Sequence, residues 1–199
     1  NANSTGLLRL LSRDLNINGQ VNAQNLEAVT GANTYDYTTG QSTAIAGTGA
    51  AGQYAIDSTL LGGIYANRIS LISTEQGVGV RMAGGAAASA ADFTLSAAGD
   101  IQLNNKINAK QVINIQNASA QQQKLNIEGA LTANSIAIGD ANAKKLNVDV
   151  AGGTLYASSA LDIQSQAFNA NNAKIQAKDT LKVNANTDIA LQNTVLDAA

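Results

Sequence analysis

Residues 101–115 read IQLNNKINAKQVINI, and this stretch decides the fold. Apolar and polar residues alternate through Ile101-Gln102-Leu103, an asparagine pair intervenes, and alternation resumes at Ile107-Asn108-Ala109 and again from Val112 to Ile115. Period two marks a strand with one buried face, and Gly or Asn between such runs marks a corner, because both tolerate a left-handed backbone. Two further stretches carry the same stanza: LNIEGALTANSIAI at 125–138 and LNINGQVNAQNLEA at 15–28. All three fit apolar-x-apolar-x-Gly/Asn-x-apolar-x-Ala-x-x-apolar.

Extended through the second half, the stanza predicts three interior series. One passes through Ile101, Leu125, Leu146, Phe168 and Ile189; a second through Ile107, Leu131, Leu155, Ile175 and Val195; a third through Ile113, Ile136, Leu161 and Leu181. Their steps of roughly 20 to 25 residues are those of a solenoid. Three short strands per coil predict an all-β chain, a three-sided parallel β-helix whose right hand follows the preference of parallel crossovers. Helical repeats would need apolar spacing of three and four, which these segments lack.

The composition agrees. Charged residues are 13% of 199, aromatics 4%, and there is no Pro, Cys, His or Trp, whereas Ala, Asn and Gly abound. A narrow interior favours Ala over rings, stacked coils invite asparagine ladders, and like charges stacked every ~5 Å repel. Without His or Cys there is no Ser-His-Asp triad, cysteine nucleophile or ordinary zinc site. No cofactor or metal is expected. A net charge of −2 argues against a nucleic-acid partner, and no apolar run reaches the ~20 residues of a membrane-spanning helix. The opening NANSTGLLRLLSRD is unlike a signal peptide.

Residues 31–60 break the stanza and hold Tyr35, Tyr37 and Tyr54. The segment is too long for a corner and is expected to project as a loop or hairpin. Its tyrosines are candidate binding residues for a receptor or glycan, or else rings that cover the side of the shaft. The Ala-rich run GGAAASAA, Gly84 to Ala91, separates the four arginines from all eight lysines. It divides the chain into 1–90 and 91–199.

At 61–85 the sequence LGGIYANRISLISTEQGVGVRMAGG closely resembles a signature of the filamentous haemagglutinin family, the exoproteins of bacterial two-partner secretion. LLSRDLNINGQVNAQNLEAVTGAN at 10–33 is similar to the end of that family's secretion domain, and DFTLSAAGDIQLNNKINA at 92–109 to the start of its haemagglutinin repeats. The resemblance implies a right-handed parallel β-helix exported through an outer-membrane two-partner transporter and displayed on the bacterial surface. Family members act as adhesins or as the sticks of contact-dependent growth inhibition, which carry a toxin and meet a receptor on a target or host cell. The Asn-Pro-Asn motifs of the family's secretion domain are absent, so an internal fragment is expected.

Leu61, Gly62, Gly63 and Tyr65 read as turn and wall residues. Glu75, Gly77, Gly79 and Arg81 read as a corner with a Glu–Arg pair, or as an anion or sugar site. TEQGVGVRM is not a nucleotide loop, since Met82 replaces the last glycine. Asp140 and Asp149 are the best carboxylate pair for a glycosidase-like reaction, but scattered acids and scarce aromatics argue against an enzyme. Lys144, Lys145, Lys174, Lys178 and Lys182 form a basic strip that Asp149, Asp162 and Asp179 would neutralise. Gly152-Gly153-Thr154-Leu155 lacks the Asp of a calcium nonapeptide. The sequons at Asn3 and Asn117 carry no argument.

Overall fold

The computed structural model describes residues 4–198, so Asn3 of the first sequon lies outside the described residues. The Leu125 coil shows how the stanza folds. Gln123–Ile127, Ala130–Ala133 and Ser135–Ile138 are three short strands, with corners at Glu128-Gly129 and at Asn134. Each belongs to its own parallel sheet. Leu125 lies between Ile101 and Val148, Leu131 between Ile107 and Leu155, and Ile136 between Ile113 and Leu161.

Three eight-stranded parallel sheets result. Sheet 1 runs from Leu8–Ser12 to Thr180–Ala185, sheet 2 from Leu15–Ile17 to Ile189–Gln192, and sheet 3 from Gln20–Asn22 to Val195–Ala198. No helix occurs among the described residues. The chain is a three-sided β-solenoid, consistent with the right-handed β-helix.

The third interior series is correct throughout, but the other two need correction. Leu125 stacks on Val148, and Leu146 pairs with Gln123 instead. Ile175 stacks on Leu196, while Val195 lies beside Lys174. Leu146 and Val148 both point inward, two residues apart, so a period-two pattern cannot choose between them.

Sheet 1 supplies two apolar columns. Leu26, Ile69, Phe93, Ile113, Ile136 and Leu161 form one, and Ala28, Leu71, Leu95, Ile115, Ile138 and Ile163 the other, all buried. Fully burying each large side chain contributes about 1.5–3 kcal/mol. The inward residue at the end of the sheet 3 strands is small in coil after coil, namely Ala66, Ala88, Ala109, Ala133, Ala157 and Ala177. Here the wall turns into sheet 1, at an apex that recurs with alanine.

Corners between sheets 2 and 3 solve the turn in two ways. Gly152, Asn172 and Asn193 have φ of 71°, 51° and 48°, the left-handed conformation anticipated for Gly and Asn. Gly62, Gly84 and Gly129 have no such φ and serve close approach. A Cβ on Gly84 would lie 1.3 Å from the Gly62 carbonyl oxygen, and one on Gly129 would lie 2.0 Å from that of Asn105. Asparagine ladders are not the rule outside. Asn104 and Asn126 instead donate to the Glu128 carboxylate at 2.7 and 3.0 Å.

The excursion is a hairpin of Asn33–Asp36 and Gln41–Ala44, paired antiparallel. It is shorter than expected, because Tyr54–Ser58 is already a strand of sheet 2, paired with Leu15–Ile17 and Gly79–Met82. Tyr54 therefore belongs to the shaft wall. Across the Ala-rich run, Ala86–Ala88 pairs in register with both Gly63–Ala66 and Ile107–Ala109, so pairing is continuous through it.

Candidate functional site

The excursion leaves sheet 1 after Thr30 and rejoins sheet 2 at Tyr54. Gly31 makes the exit, with φ of 103° and its N–H donating to the Arg13 carbonyl at 2.9 Å. A Cβ there would sit 2.6 Å from Thr74 Oγ1. Thr74 Oγ1 in turn donates to Asn33 Oδ1 at 2.7 Å, while Asn33 Nδ2 donates to the Thr30 and Gly31 carbonyls.

One bidentate ion pair ties this root to two coils. Arg13 donates from Nε to Glu75 Oε2 at 3.0 Å and from Nη2 to Oε1 at 2.7 Å, and from Nη1 to the Thr48 carbonyl at 2.7 Å. Hydrogen bonding from Arg13 holds the Glu75 carboxyl below its ordinary range against opposing desolvation, with help from the Arg13 charge and the Ala32 N–H. Higher on sheet 1, Arg9 donates to Glu27 at 3.1 Å across one rung and lies 5.2 Å from the Tyr35 ring. Tyr35 meets Tyr37 edge to face at 5.0 Å, and Tyr37 remains 80% exposed. Inside the hairpin turn, the Thr38 N–H, followed by Thr39, lowers the Asp36 pKa.

The three candidate tyrosines do not converge. Tyr35 and Tyr37 share the hairpin, whereas the Tyr54 ring lies 4.7 Å from the Arg81 guanidinium on sheet 2. The anticipated Glu75–Arg81 pair is also corrected. Arg81 donates to both Asp57 oxygens at 2.8 and 2.7 Å, its in-register neighbour one coil away, and Glu75 takes Arg13. The in-register pair lies on adjacent strands; the other joins residues 62 apart in sequence and carries no local signal. Gly77, with φ of 78°, forms the turn in which the Val78 N–H donates to the Glu75 carbonyl. Gly79 leaves room for the Asp100 carbonyl, 2.6 Å from a notional Cβ.

Leu60 and Leu61 occupy the turn closed by Gly62 N–H to Thr59 O at 2.9 Å, and they are 77% and 81% exposed. Gly62 and Gly63 are buried, and Tyr65 faces outward from sheet 3 over Gly63.

The two candidate carboxylates sit in different settings. Asp140 accepts the Asn142 N–H at 2.7 Å within its own turn, while Asp149 faces out of sheet 2 between Asn126 and Asn169. The lysines likewise fall on different faces. Lys174 stands on sheet 3, Lys182 on sheet 1 at 3.8 Å from Asp162, and Lys145 donates to the Ala120 carbonyl.

Residues 1–103 match the family described as TPS secretion domain, TPS denoting two-partner secretion. Over 100 residues, half of this chain, the sequence is 48% identical to the tRNA nuclease CdiA-2 of Burkholderia pseudomallei. It is 38% identical over 138 residues, 67% of the chain, to the tRNA nuclease CdiA of Yersinia mollaretii, and 32% identical over 139 residues, 65% of the chain, to the filamentous hemagglutinin of Bordetella pertussis. The matched stretches are only 3–4% of those proteins' lengths. No solved structure matches.

Proposed function

Because the chain belongs to the two-partner secretion domain family, and so to a cell-surface exoprotein of the filamentous haemagglutinin and CdiA type, we propose that it is a non-catalytic segment. In this reading residues 1–90 engage the outer-membrane transporter and residues 91–199 begin the shaft that projects distal modules. The supporting observation is the continuous parallel stacking of three sheets, with a register shift at Gly79–Val80 in sheet 2, from Leu8 through the Ala-rich run to the last described coil. Bending such a rod breaks backbone pairing along at least one wall, so each coil adds reach without adding flexibility. The distal module is a toxin with its receptor-binding region, the growth-inhibition plan, since two of the matched relatives carry nuclease names.

The test is to delete residues 114–136 from the intact exoprotein, one coil from Ile113 to its stacked equivalent Ile136. Export and surface display should persist, and the isolated 199-residue chain lacking those residues should shorten by about 5 Å at constant cross-section in solution scattering. A variant that folds but is no longer displayed would overturn the passive-shaft reading. A second reading, direct adhesion through the hairpin, is favoured by the exposure of Tyr37. Removing residues 34–44 should abolish binding to target cells only if that reading holds.

A further inference from the structure

Along the outside of sheet 2 runs a shallow trough of about 380 Å3, floored by Ile101, Leu125 and Val148. It continues into a second depression of about 340 Å3 that shares Asp149 and Asn169 with the first and extends to Gln192. The walls are rows in register. One is Gln102, Asn126, Asp149 and Asn169; the other includes Lys124 and Asn147. We propose that this trough binds an extended, uncharged glycan lying along the shaft axis.

Four observations carry this. First, the rows present amide and carboxylate groups at the rung spacing of about 4.7–4.9 Å, close to the rise per sugar in an extended polysaccharide, so each sugar along the axis meets a polar side chain of its own rung. Second, no hydrogen bond among the described residues engages the side chains of Gln102, Asn147, Asp149 or Asn169, which reach solvent and can exchange water for a ligand, and Asn126 Oδ1 is buried without a partner. A buried acceptor left in this state is costly until a donor arrives. Third, the charges are few and mixed, Asp100 and Asp149 against Lys124, which suits hydroxyls that donate and accept and disfavours a polyanion. Fourth, the strands beneath are paired on both sides, so a polypeptide cannot add as a strand and gains no backbone recognition. With no aromatic ring in the trough, affinity must accumulate over several rungs and depend on chain length.

The experiment titrates the 199-residue chain with cellohexaose, N-acetylchitohexaose and maltohexaose, with the corresponding disaccharides, and with dextran sulfate and an unstructured Ser/Thr-rich peptide. Amide resonances are followed by NMR. Cellohexaose or N-acetylchitohexaose, the extended chains, should shift the resonances of Gln102, Asn126 and Asn169, and bind at least about tenfold more tightly than its disaccharide, as expected when several weak contacts act together, whereas the coiled maltohexaose should not. Asn126→Ala should weaken it about fivefold, the effect of one hydrogen bond. If Asn126→Ala lowers the melting temperature, Gln102→Ala and Asn169→Ala serve instead. The proposal is overturned if neither extended hexaose shifts these resonances at millimolar concentration, if affinity is independent of chain length, if the variants bind as the parent does, or if only maltohexaose, the polyanion or the peptide binds. None of these outcomes bears on export or display, so the shaft reading stands or falls separately.

Discussion

Replacing Gly84 with alanine tests whether corner glycines let coils approach or merely turn the chain. The φ of Gly84 is not left-handed, so alanine has no intrinsic strain to overcome there. The added Cβ, however, would lie 1.3 Å from the Gly62 carbonyl oxygen and 2.7 Å from that of Thr59, both backbone atoms fixed in the coil below. Relieving this overlap moves one corner, at a cost of about 1–3 kcal/mol for forced overpacking. The shift also strains the hydrogen bond from the Gly84 N–H to Ser58 Oγ, 3.0 Å in a buried site, whose loss costs about 1–3 kcal/mol. Together these give a destabilisation of about 2–6 kcal/mol. The control is Gly19→Ala at the equivalent corner of an earlier coil, where a Cβ meets nothing within 4 Å and φ is not left-handed. That variant should be neutral or stabilised by about 0.4–1 kcal/mol through reduced unfolded-state entropy. Urea titration by circular dichroism, with m compared between variants, reads both. Equal midpoints for the two variants, or a Gly84→Ala loss under about 0.5 kcal/mol, would refute the close-approach argument.

Three further outcomes are expected. Leu125→Asp or Ile136→Asp places an unpaired charge in a fully enclosed column and should cost about 5 kcal/mol or more. Hydrogen exchange should show lost protection in the coils on either side, and unchanged unfolding would contradict the column assignment. Because Glu75 is held below its ordinary value of 4.5, its contribution is present above that pH and is lost as pH falls through the lower folded value. Glu75→Gln should therefore lower stability at neutral pH and flatten the acid limb of a stability–pH profile; a parent-like acid limb would exclude the Arg13 pair as its source. Leu60→Ser with Leu61→Ser, at a turn where both side chains face solvent, should change stability by less than about 0.5 kcal/mol in thermal unfolding.

Alternation and repeat length alone determined the all-β solenoid, its three walls, the third interior column and the placing of an excursion after residue 30. These follow from local rules, since strand polarity has period two and a corner needs Gly or Asn. The resemblance of residues 10–33, 61–85 and 92–109 likewise anticipated the family. Only the tertiary structure decided the register, the far partners and the reach of the excursion. A slip of two residues leaves every side chain on its own face, so Leu146 and Val148 are interchangeable until hydrogen bonds to Gln123–Ile127 select one. Tyr54 follows a turn-rich stretch and reads as loop until strands on both sides claim it. Arg13 finds Glu75 across two coils, and the rows of the sheet 2 trough come from four separate coils. Stacking brings together residues that are remote along the chain, and that geometry, absent from any local pattern, is what builds the rows on the outer face of sheet 2.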